Sequence, residues 1–323
     1  MSKVYVVCPG GYATGGIELL HQLVSTLNDN GVDSSIIYSP FNVDFEVNPA
    51  YKKYNIKQVR FSDTDFTSED RVVLPEVYTG YKGYFSSASV YIWWLSVDNY
   101  FDTQPQGIDK LKQIIKRIVK HKRAIPKPIS IKKLGRCKHL TQSFYAEQFL
   151  SEFGFSSVML SDYLNQEHLN KNVDLTSKFE IICYNPNKGA NYTNLLKNKL
   201  SEYKFVAIEN MSATEVSQLL DSAMIYIDFG NHPGKDRIPR EAAMAGCVVI
   251  TGLQGSASNH IDIPVDQKYK IDENSKDFEE KVGTLIKDVF RDFSASSCDF
   301  DDYRKKIKSE KSNFIKEAIS IFK

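Results

Sequence analysis

The chain has 323 residues, 42% hydrophobic and 25% charged, with a net charge of +1. That length suits two domains of about 150 residues each, and the composition is that of a folded protein rather than a disordered one. The near-zero net charge excludes a polyelectrolyte, so electrostatic targeting can come only from a local patch.

The opening run Met1–Gly11 is too short in apolar residues for a signal peptide. No stretch approaches the roughly 18 apolar residues of a membrane span. Five cysteines (Cys8, Cys137, Cys183, Cys247, Cys298) form no CxxC pair, and three of them sit in apolar runs. They are expected to be buried, reduced thiols of a cytoplasmic protein.

In chain order, Lys3–Cys8 is expected as a strand, Pro9–Gly16 as a glycine-rich loop and Ile17–Asn30 as a helix. Gly31 marks the end of that helix. Further strands are expected at Asp33–Tyr38, Arg71–Leu74, Ser89–Leu95, His139–Gln142 and Ser157–Leu160. The loop Pro9–Gly16 is not a GxGxxG fingerprint, and no acidic residue ends the next strand to hold a ribose. It is either a tight turn or a ligand-lining loop in which Gly15 and Gly16 let the backbone approach. At the end of Ser89–Leu95, Asp98 and Asn99 stand where open α/β sheets bind ligands. Asp98 either works on an acceptor hydroxyl or caps a turn, with Trp93 and Trp94 as core.

The pattern restarts at a strand Phe179–Tyr184, followed by the loop Asn185–Gly189 and a helix over Tyr192–Glu202. A lysine at a strand's carboxyl end, as Lys188 is, can meet a diphosphate in a charge-assisted bond worth roughly 1.5–3 kcal/mol. The bland alternative is a lone surface lysine. Strands at Phe205–Ile208, Met224–Phe229 and Cys247–Thr251 alternate with helices at Thr214–Ser222, Arg240–Ala245 and Asp277–Phe290. A long amphipathic helix closes the chain at Asp301–Phe322. Alternation of this kind predicts parallel sheets covered by helices. Two series joined near residues 161–177 predict an α/β protein of two Rossmann-like domains facing a cleft. They cover residues 1–165 and 166–323, with the last helix crossing back to the first domain.

The most informative segment runs from Asp228 to Gly252. A strand ends at Phe229, and a loop then presents Lys235 and Arg237. Pro239 suits a first helical turn, Glu241 is placed in that turn, and Gly246 stops the helix before an apolar strand. A helix N-terminus flanked by Lys and Arg suits a diphosphate, and a carboxylate one turn in can take two ribose hydroxyls.

This segment resembles the donor-binding motif of GT-B glycosyltransferases, especially the retaining family 4-like group, and the run Arg237–Ala243 is similar to one in bacterial polysaccharide transferases. The resemblance implies that Glu241 binds the ribose, Gly246 ends the helix, and Lys188 and Arg237 take the diphosphate. It covers about residues 178–260 well and the first half only in overall pattern. One departure stands out. The family motif has two glutamates eight residues apart, and Pro233 stands where the first belongs. His232, Asp236 or Asn231 are the candidates to replace it. The candidate catalytic residues are therefore Asp98, His232 and Asp236. The donor-binding candidates are Lys188, Arg237, Glu241, Gly15 and Gly16.

By that resemblance the chain transfers a sugar from a nucleoside-diphosphate sugar to a hydroxyl of a glycan or lipid-linked glycan. Retention, no metal and no cofactor are expected, in synthesis of a surface polysaccharide such as lipopolysaccharide or capsule. Asp63-Thr-Asp65 matches a metal-binding DxD letter for letter but lies in a polar loop. Two alternatives stay open: a nucleotide-sugar epimerase, and an inactive sugar-nucleotide-binding subunit of an assembly complex. Residues 110–138 hold twelve Lys or Arg and no acid, with Leu111, Ile114, Ile115, Ile118 and Val119 on one helical face. Such a helix suits the anionic inner face of a cell membrane. It also suits docking on its own sheet with a solvated basic face. Nucleic acid is not expected as a partner.

Overall fold

The computed structural model describes residues 2–102, 125–169 and 173–323. The chain forms two compact units. One comprises the chain up to Asp162 together with Ser312–Lys323, the other Tyr163–Lys311.

The first unit holds a six-stranded sheet of β1 (Val4–Pro9), β2 (Ser34–Ser39), β3 (Arg71–Pro75), β4 (Ser89–Trp94), β5 (Lys138–Thr141) and β6 (Ser157–Met159). All pairings are parallel, in the order β2-β1-β3-β4-β5-β6. Between β1 and β2 runs α1 (Gly15–Asp29), whose N-cap Thr14 accepts from the Ile17 amide, and Gly31 follows it at φ +80°. After β4 come α2 (Val97–Asp102) and, beyond β5, α3 (Phe144–Glu152). These short helices, and a 3-10 stretch at Glu76–Phe85, carry too few turns to show a clear sequence period.

Trp93 and Trp94 are fully buried, which settles them as core. Each indole N–H has a partner: Leu160 O at 2.8 Å and His139 Nδ1 at 3.1 Å. Burial pushes the His139 pKa down to about 4, consistent with a neutral ring that accepts at Nδ1. Cys8, Cys137, Cys183 and Cys247 are buried and Cys298 is exposed, and all five are free thiols.

The second unit opens with α4 (Gln166–Leu169) and builds a four-stranded parallel sheet. Its strands are β7 (Phe179–Tyr184), β8 (Lys204–Ala207), β9 (Ala223–Asp228) and β10 (Val248–Thr251), in the order β10-β9-β7-β8. The helices are α5 (Ala190–Lys199), α6 (Ala213–Ser222), α7 (Arg237–Met244), α8 (Phe278–Arg291), α9 (Phe293–Cys298) and α10 (Asp301–Phe322). Helix α6 starts with a reciprocal box between Ser212 and Glu215. At its other end the buried Lys178 ammonium donates to Leu220 O and Ala223 O, 2.8 Å each, satisfying carbonyls the helix leaves open. Helix α10 counts its residues up to Lys311 in the second unit and the rest in the first.

Helix α7 begins at Arg237, three residues before its expected start. Pro239 is thus its third residue, a position where the missing N–H costs nothing. Glu241 moves from the first turn to the second. Among the described residues no helix is long and apolar enough to cross a membrane. The amphipathic part of the basic run 110–138 lies outside the described residues. Its described end forms a short 3-10 turn, Ile131–Leu134, and the start of β5.

Candidate active site

In the second sheet the strand order reverses between β7 and β9, and ligands of open α/β sheets bind beyond the carboxyl ends of the strands at such a switch point. Two glycines fit the loops after β7 and β9 together. Gly189 closes the loop after β7 at φ +57°, and a Cβ there would lie 2.6 Å from the Phe229 carbonyl. Gly230 opens the loop after β9, and its Cβ would lie 2.4 Å from Lys188 Cβ. Backbone therefore rests on backbone, and Lys188 is delivered to the loop His232–Asp236. The loop after β10 locks the other side. Gly255, at φ +60°, would place a Cβ 2.1 Å from His232 O, and the Ser256 amide donates to that carbonyl at 2.8 Å. Ser256 Oγ donates to Gly234 O at 2.6 Å.

This packing lines up four charged or ionisable groups. The Lys188 ammonium contacts Asp236 Oδ2. His232 Nδ1 lies 3.0 Å from the same oxygen, and His232 Nε2 lies 3.5 Å from Asp228 Oδ1. Asp228 also accepts from the Gly230 amide at 3.1 Å and the Tyr226 hydroxyl at 3.0 Å. Burial pulls the His232 pKa down, but the Asp228 and Asp236 carboxylates outweigh it, so the pKa is raised. Burial acts to raise the Asp236 pKa, but His232 and Lys188 hold it below the usual carboxylate value. His232 is fully buried, whereas the side chains of Lys188 and Asp236 keep 24% and 21% exposure.

Among the described residues, Asp228, His232 and Asp236 are also the one group with ligand atoms close enough for a metal, all within 4.8 Å. The Lys188 ammonium already contacts Asp236. A divalent ion there would compete directly with the Lys188 ammonium for Asp236.

Helix α7 adds the rest. Asp236 is its N-cap residue, yet its carboxylate makes no capping hydrogen bond. Arg237 opens the helix, half-buried. Glu241, one turn in, lies with Oε1 3.6 Å from His168 Nε2 of α4, a neighbour the sequence reading does not contain. Lys235 departs from expectation. It turns inward to pair with Glu310 Oε1 at 2.7 Å and is 9% exposed, so the loop does not present it to a ligand. Arg240, fully buried, meets Glu310 Oε2 at 2.7 Å and donates to Asp236 O and Lys235 O at 3.1 Å each. Glu310 on α10 thereby anchors both the loop and the start of α7.

The first-unit candidates sit on that unit's own elements. Gly15 and Gly16 form the first residues of α1, and a Cβ on Gly16 would make only ordinary contact with Leu95 at 3.8 Å. Close approach in that loop belongs to Gly10, whose Cβ would overlap the Phe45 ring at 2.4 Å. Asp98 stands in the first turn of α2, and Tyr145 donates to it at 3.4 Å. Asp63 and Asp65 are exposed. A residue not foreseen is Glu76, after β3: it is buried, accepts from the Leu95 amide at 3.0 Å, and burial pushes its pKa up to about 7.

No family model and no curated protein matches the sequence. Solved structures do. A glycosyltransferase from Rickettsia africae ESF-5 superposes with a TM-score of 0.63 at 14% identity, covering 99% of this chain and 97% of that one. The chain has the GT-B fold. Anabaena Alr3699/HepE in complex with UDP-glucose gives 0.60 at 10% identity over 99% of both chains. WaaG, a glycosyltransferase involved in lipopolysaccharide biosynthesis, gives 0.58 at 10% identity over 97% of this chain and 98% of that one. At these identities the likeness fixes the GT-B architecture, and the local chemistry has to be argued from this chain's own residues.

Proposed function

We propose that the chain is a glycosyltransferase that binds a nucleoside-diphosphate sugar on its second unit and transfers the sugar to a hydroxyl of a glycan or lipid-linked glycan. The observation that carries this reading is the meeting of Lys188 with the start of α7 at the β7–β9 switch point. A helix N-terminus whose N-cap carboxylate is turned away, beside a half-exposed ammonium, is suited to a diphosphate. Glu241, one turn further in, would accept from two ribose hydroxyls, as the motif resemblance implies. The UDP-glucose carried by the Anabaena relative of the same fold supports this assignment of donor class.

In the transfer, positive charge develops on the sugar ring and negative charge on the departing diphosphate. Lys188, Arg237 and the α7 peptide dipoles oppose that negative charge as it forms, which is the kind of preorganised stabilisation that lowers such a barrier. Two cations and a helix terminus make a metal unnecessary, and the retaining course follows from the family 4-like motif. Surface polysaccharide synthesis is the role that motif suggests, and the basic run 110–138 suits work beside an anionic membrane. Release of nucleoside diphosphate from a panel of nucleotide sugars, with glycan acceptors and with EDTA present, tests the reading. Acceptor-dependent release with an NMR-assigned retained anomer supports it. Donor conversion without acceptor points instead to an epimerase, and donor binding with no turnover to a scaffolding subunit.

A further inference from the structure

Residues 110–138 hold twelve Lys or Arg and no acid, so the run carries no counter-charge of its own. Its described end contributes to a cavity in the first unit on which four cations converge. Lys82 comes from the 3-10 stretch Glu76–Phe85, and Lys133, Arg136 and Lys138 come from the end of the run. We propose that this cavity is an anion site for a phosphate ester. The inference is independent of the donor-site reading above.

Three contacts fasten the walls of the cavity to each other. Gly80 takes the backbone of Lys127 against itself, and a Cβ there would lie 2.3 Å from Lys127 O. The Ile129 amide donates to Thr79 Oγ1 at 3.2 Å, and Lys82 Nζ donates to Lys133 O at 2.9 Å. The cavity measures about 640 Å3, within the roughly 300–1,000 Å3 of small-molecule sites. Phe85 and Val90 give it an apolar part, and no Asp or Glu among the described residues lines it. Ser89 and Lys138 open β4 and β5, so the cavity lies at the amino ends of the strands. Ligands of open α/β sheets ordinarily take the opposite, carboxyl edge.

The charges select the ligand. Lys82 and Lys138 donate to neutral oxygens, Lys133 O and, at 3.0 Å, the Tyr91 hydroxyl. Among the described residues none of the four cations forms an ion pair with a carboxylate. Lys133, Arg136 and Lys138 are exposed and Lys82 is half-buried, so N–H groups remain for a ligand. Four like charges around one cavity repel one another, and a bound anion relieves that repulsion. A phosphate monoester carries a charge of about −1.5 to −2 near neutral pH and three acceptor oxygens. It therefore answers three ammoniums and a guanidinium fork better than a single carboxylate does. The apolar part suits the body to which the phosphate is attached. A soluble phosphorylated polyol and a phospholipid headgroup share this chemistry.

Two probes of the full chain test the site and separate its sources: titration with glycerol 3-phosphate, and sedimentation with phosphatidylcholine vesicles containing phosphatidic acid. Wild type should bind at least one of them, and neither glycerol nor plain phosphatidylcholine vesicles. Lys133→Ala combined with Arg136→Ala should weaken that binding about tenfold or more. Lys127→Ala combined with Lys132→Ala removes the same charge from the same stretch, outside the cavity, and should leave binding unchanged. All four of these side chains are exposed, so both double variants should fold. Lys188→Ala should also leave binding unchanged. Loss in the Lys133–Arg136 variant with glycerol 3-phosphate supports a soluble ester, and loss with the vesicles alone supports a lipid headgroup. Wild-type binding by that variant overturns the proposal. Equal weakening by the Lys127–Lys132 control overturns it too, because the cations then act as a diffuse basic face. Loss in Lys188→Ala instead assigns the phosphate to the donor site, and no binding of either probe by wild type leaves no anion site; each result overturns the proposal.

Discussion

Glu310 offers the sharpest perturbation of the framework that shapes the loop. Replacing it with alanine deletes both the 2.7 Å contact to Arg240 and the 2.7 Å contact to Lys235, leaving a guanidinium with no solvent exposure and an ammonium with 9%. Breaking one side of a buried ion pair costs about 3–5 kcal/mol, because the surviving charge keeps its desolvation penalty. Arg240 retains two backbone acceptors, Asp236 O and Lys235 O, which puts the expected loss near the lower end, about 3 kcal/mol. At roughly 2–4 °C per kcal/mol the melting transition should fall by about 6–12 °C. Glu310→Gln keeps the shape but sets an amide N–H2 against one of the two cations and should also destabilise, because both cations lose their counter-charge. Both tryptophans lie in the first unit, so far-UV circular dichroism is the better probe of the second. A Glu310→Ala protein within about 1 kcal/mol of wild type would show that the Arg240–Glu310–Lys235 group is not the anchor described.

Two further substitutions test the backbone and the first unit. Gly189→Ala meets both a left-handed backbone and a 2.6 Å approach to Phe229. It should cost about 2–4 kcal/mol and weaken nucleotide binding. Gly31→Ala is the control: its φ is +80° but its Cβ meets nothing within 4 Å, so about 1 kcal/mol and unchanged binding are expected. The pH dependence of folding tests Glu76. Its folded pKa of about 7 lies above the unfolded value of 4.5, so its contribution is full below about pH 4.5 and is lost as pH rises through about 7. Glu76→Gln should remove that slope, gaining up to roughly 3 kcal/mol relative to wild type between pH 4.5 and 8. Parallel stability–pH curves for the two proteins would exclude the assignment.

Strand placement was legible because β-rich apolar runs alternate with helical periods. Phe179–Tyr184 was located to the residue, and the other strands to within one residue at each end. The start of α7 was less legible, because the residues before Pro239 are charged and carry no apolar period. Short helices such as α2 and α3 gave too little pattern to read. Within the site, Lys188, His232 and Asp236 are brought together, and the glycines that do this, Gly189 and Gly230, were visible as letters but not as contacts. The ion pairing of Lys235 was hidden because its partner Glu310 is 75 residues away on a helix that reads as an ordinary amphipathic one. His168 lies 73 residues from Glu241, with nothing in its local sequence to connect the two.

The central claim is that the loops at the β7–β9 switch point and the start of α7 hold a nucleoside diphosphate. The nucleotide-induced shift in melting temperature, measured for wild type, Lys188→Ala and Glu241→Ala with UDP and GDP at saturating concentration, tests it most directly. A ligand that binds only the folded state raises the transition by mass action, by about 2.7 kcal/mol at a hundredfold excess over Kd. At least one nucleotide should shift wild type, Glu241→Ala should abolish that shift, and Lys188→Ala should reduce it. A full shift in both variants would contradict the account.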